Sequence, residues 1–199
     1  MPGVRAKVRV TDKDHGYKAY LERLKKLHGR SYVKIGILGA SALSPAKVRT
    51  PDGIVDSKVS LVDVATFHEF GAGNNPQRSF IRSTMDAHKD YFRKLLVDQL
   101  FYVLAGKRPA KNALAILGEA IQAKMQGVFT DNDWAPLSAA TIKHRANRTP
   151  SRKKAANETF AGTVRPLLDT GQLRRSIRYQ VVMADGETAE GGEKEGAGE

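Results

Sequence analysis

Apolar and polar residues alternate in three short segments of the chain, at residues 4–10, 32–38 and 177–183. A period of two places successive side chains on opposite faces, so each segment predicts a β-strand with one apolar face. In the first segment the opposite face is cationic. The three strands together predict a small antiparallel sheet.

Longer segments carry apolar residues at helical spacing and have helix signals at their ends. Ser60 and Asp63 resemble a capping box, and Gly71 is expected to be a left-handed C-cap. Pro109 suits the first turn of a further helix. The predicted helices are one capped by Asp12 or Asp14 that ends before Gly29, one between Ser60 and Gly71, a long one from about Ser79 to Ala105, and one from Pro109 that includes Val128, with short ones after Ser138 and Thr170.

Three segments have neither period. Residues 40–58 contain prolines, a glycine and small polar residues, and they predict a long loop. Residues 144–165 are rich in basic residues and predict a mobile basic loop, whereas 185–199 consist mainly of Gly, Glu and Ala and predict a disordered acidic tail. The expected fold is therefore α+β, a single domain at 1–184 in which a small antiparallel sheet packs against long helices.

The net charge of +12 is unevenly distributed along the chain. Residues 185–199 contain six acidic residues and one lysine, a net of −5, so residues 1–184 carry 32 basic and 15 acidic residues, a net of +17. A body this basic attracts polyanions, either nucleic acid or an acidic face of a protein. The acidic tail is interpreted as a solvated terminus or, alternatively, as a shield of the basic body.

The sequence lacks the residue patterns of known catalytic and metal sites. His68-Glu69 begins a zinc-protease pattern, but its second histidine is replaced by Ala72, and the chain has no cysteine. There is no phosphate-binding loop and no nucleophile elbow. We therefore expect no enzymatic activity, no metal and no cofactor, and we expect His68 to be a hydrogen-bonded packing residue.

The N-terminal residues have no apolar core of a secretory signal, and no stretch approaches the ~20 apolar residues that span a bilayer. These patterns predict a protein made in the cytoplasm, without membrane contact.

Three motifs follow one another along the chain. The first is Val62-Asp63-Val64-Ala65-Thr66-Phe67-His68-Glu69-Phe70-Gly71, followed by Asn75-Pro76-Gln77-Arg78-Ser79-Phe80-Ile81-Arg82. The second is Trp134-Ala135-Pro136-Leu137-Ser138 with Thr141-Ile142, and the third runs from Pro166 to Ile177. In this order they resemble the neck and tail-completion proteins of tailed bacteriophages, a group often labelled virion morphogenesis or minor tail proteins. The resemblance covers roughly residues 4–184 and departs at Gln77-Arg78-Ser79, where relatives often have arginine directly before the aromatic residue.

The resemblance implies a structural virion protein that completes the head-proximal end of the tail and takes part in head–tail joining within the neck. It implies a ring-shaped homo-oligomer, expected to contain six copies. The implied partners are further copies of the chain, neighbouring neck, connector and tail-tube or terminator proteins, and non-specifically contacted DNA in the lumen. The implied location is the virion neck or tail, after synthesis in the host bacterial cytoplasm. A minor tail-tip protein is an alternative.

The side chains expected at interfaces are aromatic or cationic. The three phenylalanines of the first motif can bury against its turn, and Arg78 and Arg82 are expected on one helical face, available to carboxylates or phosphates. Trp134 fits a core or loop anchor or, alternatively, an interface anchor. The arginines near the third motif form a solvated basic face or a partner contact. The candidates are Phe67, His68, Phe70, Arg78, Phe80, Arg82, Trp134, Arg174, Arg175 and Arg178.

A nucleic-acid-binding protein is the alternative function from another class. It would use the basic loop at 144–165 and the cluster from Arg174 to Arg178. Aromatic residues are not interleaved with these basic residues, as they are in many single-strand binders, and no recognition motif is present. The sequence therefore favours protein assembly over nucleic-acid recognition.

Overall fold

The structure, a computed structural model, describes residues 13–27, 31–50, 52–72, 75–131, 134–147, 166–184, 186 and 188–191. Within these ranges the chain folds as the expected α+β domain, with helices packed against short antiparallel strands. None of the helices in the described ranges combines the length and apolar character needed to cross a bilayer.

The helices follow the predicted positions closely. The described ranges contain α1 Tyr17–Leu27, α2 Ala40–Leu43, α3 Leu61–Phe70, α4 Arg82–Leu104, α5 Ala110–Asp131, α6 Ala139–Asn147 and α7 Gln172–Ser176. Ser60 caps α3, since its side chain accepts a hydrogen bond from the backbone N–H of Asp63. Ser138 does the same for α6 through the N–H of Thr141.

Two small antiparallel sheets accompany the helices. The strands are β1 Tyr32–Ile37, β2 Pro45–Thr50, β3 Gly53–Ser60, β4 Ile177–Val182 and β5 Thr188–Gly191. The first sheet has the order β1-β4-β5, and the second is the β2–β3 hairpin. Tyr32 pairs with Val182 and Ile37 with Ile177, so β1 and β4 are matched along their full lengths.

The core lies between the long α4–α5 pair and the face of β4 that carries the odd-numbered residues. Ile177, Tyr179 and Val181 are buried there, as their period of two predicts. One buried cluster surrounds Phe80, Met125 and Phe129, and a second surrounds Val103, Leu114 and Val181. Since both clusters draw on α5 and β4, these two elements form the scaffold on which the motifs are placed.

The predicted long loop at 40–58 is wrong, because this segment contains α2 and most of the β2–β3 hairpin. Its proline and glycine signals lie at strand ends, with Pro45 beginning β2 and Gly53 beginning β3. Thr50 pairs with Gly53, so the connection is a tight turn. The sequence Thr50-Pro51-Asp52-Gly53 between β-branched residues is a turn pattern of the kind that joins two strands.

The prediction of disorder over 185–199 is wrong for Thr188–Gly191, which form β5 and pair with β4. The rest of that tail and the predicted strand at 4–10 lie largely or wholly outside the described residues. So does most of the predicted basic loop at 144–165, whose first residues, 144–147, belong to α6. Among the described residues, β5 is the third strand of this sheet.

Gly118 allows α5 to approach β4 closely. A Cβ atom at this position would lie 2.4 Å from the ring of Tyr179, far inside van der Waals contact. The Tyr179 hydroxyl also donates a hydrogen bond of 3.1 Å to Glu119, which fixes the ring in place. We expect Gly118→Ala to destabilise the fold by about 1–3 kcal/mol through overpacking, measured by urea denaturation.

Gly127 on the same helix provides the matched control. The nearest atom to a Cβ there is the Asp131 carboxylate, at 3.5 Å. Gly127→Ala should therefore stabilise the protein by about 0.5–1 kcal/mol through helix propensity. A Gly118→Ala protein as stable as Gly127→Ala would contradict this packing.

Candidate functional site

The first motif folds into a corner between α3 and α4. We define the Glu69 corner as the C-terminal end of α3, the described connecting residues 71–72 and 75–81, and the first turn of α4. Its centre is the side chain of Glu69, which is almost completely buried. A buried carboxylate needs several hydrogen bonds to offset the loss of water.

The Glu69 carboxylate receives these bonds from the start of α4. The backbone N–H groups of Phe80, Ile81 and Arg82 donate to it at 2.9–3.1 Å. The Ser79 hydroxyl donates at 2.6 Å, and the Arg82 Nε group at 3.0 Å. Glu69 thus caps a helix that begins thirteen residues later in the sequence, and it occupies the positive end of the α4 dipole.

The hydrogen bonds also decide the ionisation of Glu69. Burial alone would raise the pKa of this carboxyl group, but hydrogen bonds from Ser79, Ile81 and Arg82 outweigh that effect and lower the pKa below its ordinary value. Because its lone pairs are occupied and its pKa is lowered, Glu69 is unsuited to act as a general base. The corner is a rigid joint.

The chain returns onto the end of α3 through a turn that requires glycine. The carbonyl of His68 accepts the N–H of Arg78 at 2.8 Å, and the carbonyl of Glu69 accepts the side chains of Gln77 and Arg82. Gly71 has a φ of 79°, and a Cβ there would lie 3.3 Å from backbone atoms. The ψ of 147° places Gly71 outside the predicted left-handed C-cap conformation, although its positive φ still favours glycine.

Arg78 joins the first motif to the second. Its side chain is only 3% exposed, and its Nε and Nη2 groups donate to the carbonyl of Ala135 at 3.2 and 3.0 Å. Nη2 also donates to the carbonyl of Pro136 at 3.4 Å, and Nη1 donates to Asn75 at 3.2 Å. The expected pairing of Arg78 and Arg82 on one helical face is wrong, because α4 begins at Arg82 and Arg78 points inward as an internal clamp.

The second and third motifs meet at the same place. Arg145 of α6 donates to the carbonyl of Leu168 at 3.1 Å. Trp134 and Leu168 both pack against the cluster that contains Phe80. This arrangement is that of the core or loop anchor proposed for Trp134, although its indole N–H is buried without a partner among the described residues. All three motifs therefore contribute to one contiguous structure.

The three phenylalanines differ in their surroundings, contrary to expectation. Phe80 is fully buried and stacks against Phe129 at a ring distance of 5.1 Å. Phe67 and Phe70 are 46% and 62% exposed, so only one of the three buries against the turn. The Arg82 guanidinium lies 4.7 Å from the centre of the Phe70 ring, so Phe70 and Arg82 form the solvent-facing side of the corner.

His68 lies on the buried side of the corner as a neutral imidazole. Burial, together with the nearby positive charges of Arg78 and Arg145, lowers the pKa of His68 to about 4. Its Nδ1 atom is buried without a hydrogen-bond partner among the described residues. The described side chains include no group of three or more histidines and carboxylates able to hold a metal ion.

The remaining candidates, Arg174, Arg175 and Arg178, lie apart from the corner. All three line a cleft between α5, α7 and the beginning of β4, together with Tyr179. Arg175 on α7 is exposed, whereas Arg174 and Arg178 are half-buried. The three arginines are therefore more enclosed than in a solvated basic face, which is one of the two predicted interpretations.

The sequence patterns did not single out Glu69 or Gln172. Gln172 accepts the N–H of Lys47 at 2.6 Å and donates to the carbonyl of Pro45 at 3.0 Å, which attaches the β2–β3 hairpin to the third motif. A signal for Glu69 was available, because it follows His68 on an otherwise apolar helix face and precedes a helix with no capping side chain of its own.

We expect Glu69→Gln to lower the free energy of unfolding by about 2–3 kcal/mol at pH 7, because an amide cannot accept all five donors and carries no charge. The exposed capping residue Asp63 is the control, and Asp63→Asn should cost no more than about 0.5 kcal/mol.

The folded-state pKa of Glu69 is lowered, so its stabilisation is complete above the ordinary value of 4.5 and is lost as the pH falls through the folded value. Urea titrations of both variants at several pH values measure this, and equal effects of the two substitutions would contradict the cap.

His68 should make the fold sensitive to acid in a different range. Its folded pKa of about 4 lies below the ordinary value of 6.5, so protonation favours the unfolded chain and stability should fall as the pH drops from 6.5 to 4. His68→Gln should flatten the stability profile in that window, as followed by urea midpoints. A variant whose stability declines as steeply as that of the unaltered protein would refute the assignment.

Comparison with protein-family models, with curated proteins and with solved structures finds no match to this chain. The likeness to phage neck and tail-completion proteins therefore rests on the three motifs and their order.

Proposed function

We propose that this chain is a structural virion protein of a tailed phage that completes the head-proximal end of the tail and helps to join it to the head. The observation that carries the proposal is the meeting of the three motifs in one structure, through the Arg78 bonds to Ala135 and Pro136 and the packing of Trp134 and Leu168 against the cluster that contains Phe80. Segments that resemble a family and also contact one another behave as one structural unit. That supports a shared fold rather than three chance matches.

Large apolar side chains on the surface support a role in assembly. Leu43 and Phe101 are 81% and 76% exposed, and Tyr17, Phe70 and Val97 are also more than half exposed. Val97 and Phe101 lie one turn apart on α4. Neighbouring exposed apolar groups are typical of surfaces that other proteins cover. This favours a subunit whose surface is completed by neighbours.

The β2–β3 hairpin is the best candidate for contact between subunits in a ring. Ile54 and Val55 are exposed near its tip, as are Val48 and Val59 further along. A two-stranded ribbon with exposed apolar side chains gains stability when another surface covers it. In the proposed ring, expected to be six-fold, the hairpin would reach the adjacent copy, while the basic body would face acidic neck, connector, terminator or tail-tube proteins.

Nucleic-acid binding is a weaker proposal, as is a minor tail-tip role. In the described region the arginines of the third motif share their cleft with the acceptor side chains of Glu119 and Gln122, for which a phosphodiester backbone has no donor. A +12 chain will still contact DNA non-specifically, as would suit DNA passing through a lumen.

The test is electron microscopy of phage particles assembled without this chain. We expect full heads and separate, unjoined tails; normal joined virions would refute the proposal. Supplying the unaltered chain should restore joining.

Complementation with hairpin variants then tests the subunit contact. Ile54→Glu should fail to restore joining and should shift the purified protein from ring to monomer by light scattering, because a charge on the apolar tip opposes burial. Lys58→Gln removes one unit of positive charge from the same hairpin and is the matched control. Equal loss with Lys58→Gln would indicate a charge effect instead of an apolar contact.

A further inference from the structure

A cleft of about 630 Å³ lies outside the Glu69 corner, between α5, α7 and the beginning of β4. Its lining includes Arg174, Arg175 and Arg178 on one side and Glu119 and Gln122 of α5 on the other. The packing contacts described above do not involve the guanidinium groups of these three arginines. The cleft is therefore a candidate binding site.

Two of the three arginines have no partner in the described part of the chain. Arg175 donates to the carbonyl of Thr170 at 3.0 Å. Arg174 and Arg178 are half-buried, and their guanidinium groups make no hydrogen bond or ion pair with any described residue. Half-buried guanidinium groups in one cleft favour an anionic ligand, and a carboxylate matches their planar geometry.

The opposite wall of the cleft offers acceptors. The side-chain oxygen of Gln122 is buried and has no donor among the described residues. The Glu119 carboxylate accepts only the Tyr179 hydroxyl. A ligand that fits this wall must therefore bring N–H or O–H donors as well as negative charge.

We propose that this cleft binds an acidic peptide segment of a partner protein, with its carboxylates on Arg174 and Arg178 and a backbone N–H on the Gln122 side chain. A peptide carries both kinds of group, since each residue supplies an N–H donor and glutamate or aspartate supplies the charge. A phosphodiester backbone supplies acceptors alone and would leave the Gln122 oxygen without a donor. Charge and hydrogen-bond complementarity together favour the peptide.

The inference rests on the proposed assembly role, because the acidic peptide would belong to a partner protein in that assembly. Its test uses the purified chain alone. If the peptide does not bind, the cleft proposal fails but the particle-imaging result is unaffected. Particles assembled without the chain would remain unjoined whether or not the cleft binds a peptide.

The experiment measures fluorescence anisotropy of a short labelled peptide of alternating Glu and Gly, titrated with the full chain. A Gln-Gly peptide and a short oligothymidine serve as comparison probes. We expect the Glu peptide to bind, and Arg174→Gln with Arg178→Gln to weaken it about tenfold. Gln122→Leu should weaken the peptide while leaving the oligonucleotide unchanged. The titration is repeated with a chain that carries both Glu193→Gln and Glu195→Gln, so that these two side chains do not compete with the labelled peptide for the cleft.

The control removes two positive charges elsewhere. Arg93→Gln with Lys94→Gln lies on the exposed side of α4 and should leave peptide affinity within about twofold, since only long-range attraction changes. An equal loss with this control would overturn the proposal in favour of general attraction to a basic body. If oligothymidine binds more tightly than the Glu peptide, and this binding depends on Arg174 and Arg178, the proposal is overturned in favour of a nucleic-acid site. Absence of peptide binding in every chain tested would also overturn it. Circular dichroism confirms that each variant is folded.

Discussion

The hydrogen bonds to the Glu69 carboxylate determine how the two halves of the motif region are joined. Five donors from Ser79 to Arg82 converge on one buried side chain at the end of the preceding helix. The start of a helix has unsatisfied N–H groups, and a buried carboxylate has unsatisfied lone pairs, so each satisfies the other. This exchange fixes the direction in which α4 leaves α3. Since α4 packs on α5 and α5 on β4, the placement of the core elements relative to the first motif follows from it.

The corner also determines which of its side chains are available to a partner. Arg78 is used internally, because its guanidinium satisfies the carbonyls of Ala135 and Pro136. Phe70 and Arg82 remain on the outer side and stack on one another. An interface at this corner would therefore be aromatic and cationic, whereas the hairpin surface is apolar and the cleft is charged. Three chemically different surfaces on one small domain fit a subunit that contacts more than one kind of neighbour.

Period and capping signals predicted much of the fold. The strands at 32–38 and 177–183, the Ser60 and Ser138 caps and the long helices follow from local sequence, because each depends on neighbouring residues. The hairpin was missed because prolines and glycines at strand ends were interpreted as loop residues. β5 was missed because Thr188–Gly191 have little apolar pattern, and they are held mainly by pairing with β4. The sequence patterns give Glu69 no role and Arg78 the wrong one, because their partners are 10–13 and 57–58 residues away and a local pattern does not contain such contacts.

Those sequence separations have a consequence for the order in which the protein folds. The bonds to Glu69 close loops of only 10–13 residues, so the chain loses little entropy in forming them. The Arg78 bonds to Ala135 and Pro136 must wait until α4 and α5 have brought residues 57–58 positions apart together. The α3–α4 corner is thus suited to an early folding nucleus, and the Arg78 clamp to a late step that seals it. Nascent chains that have passed residue 82 already contain everything the corner needs, which favours its formation during synthesis.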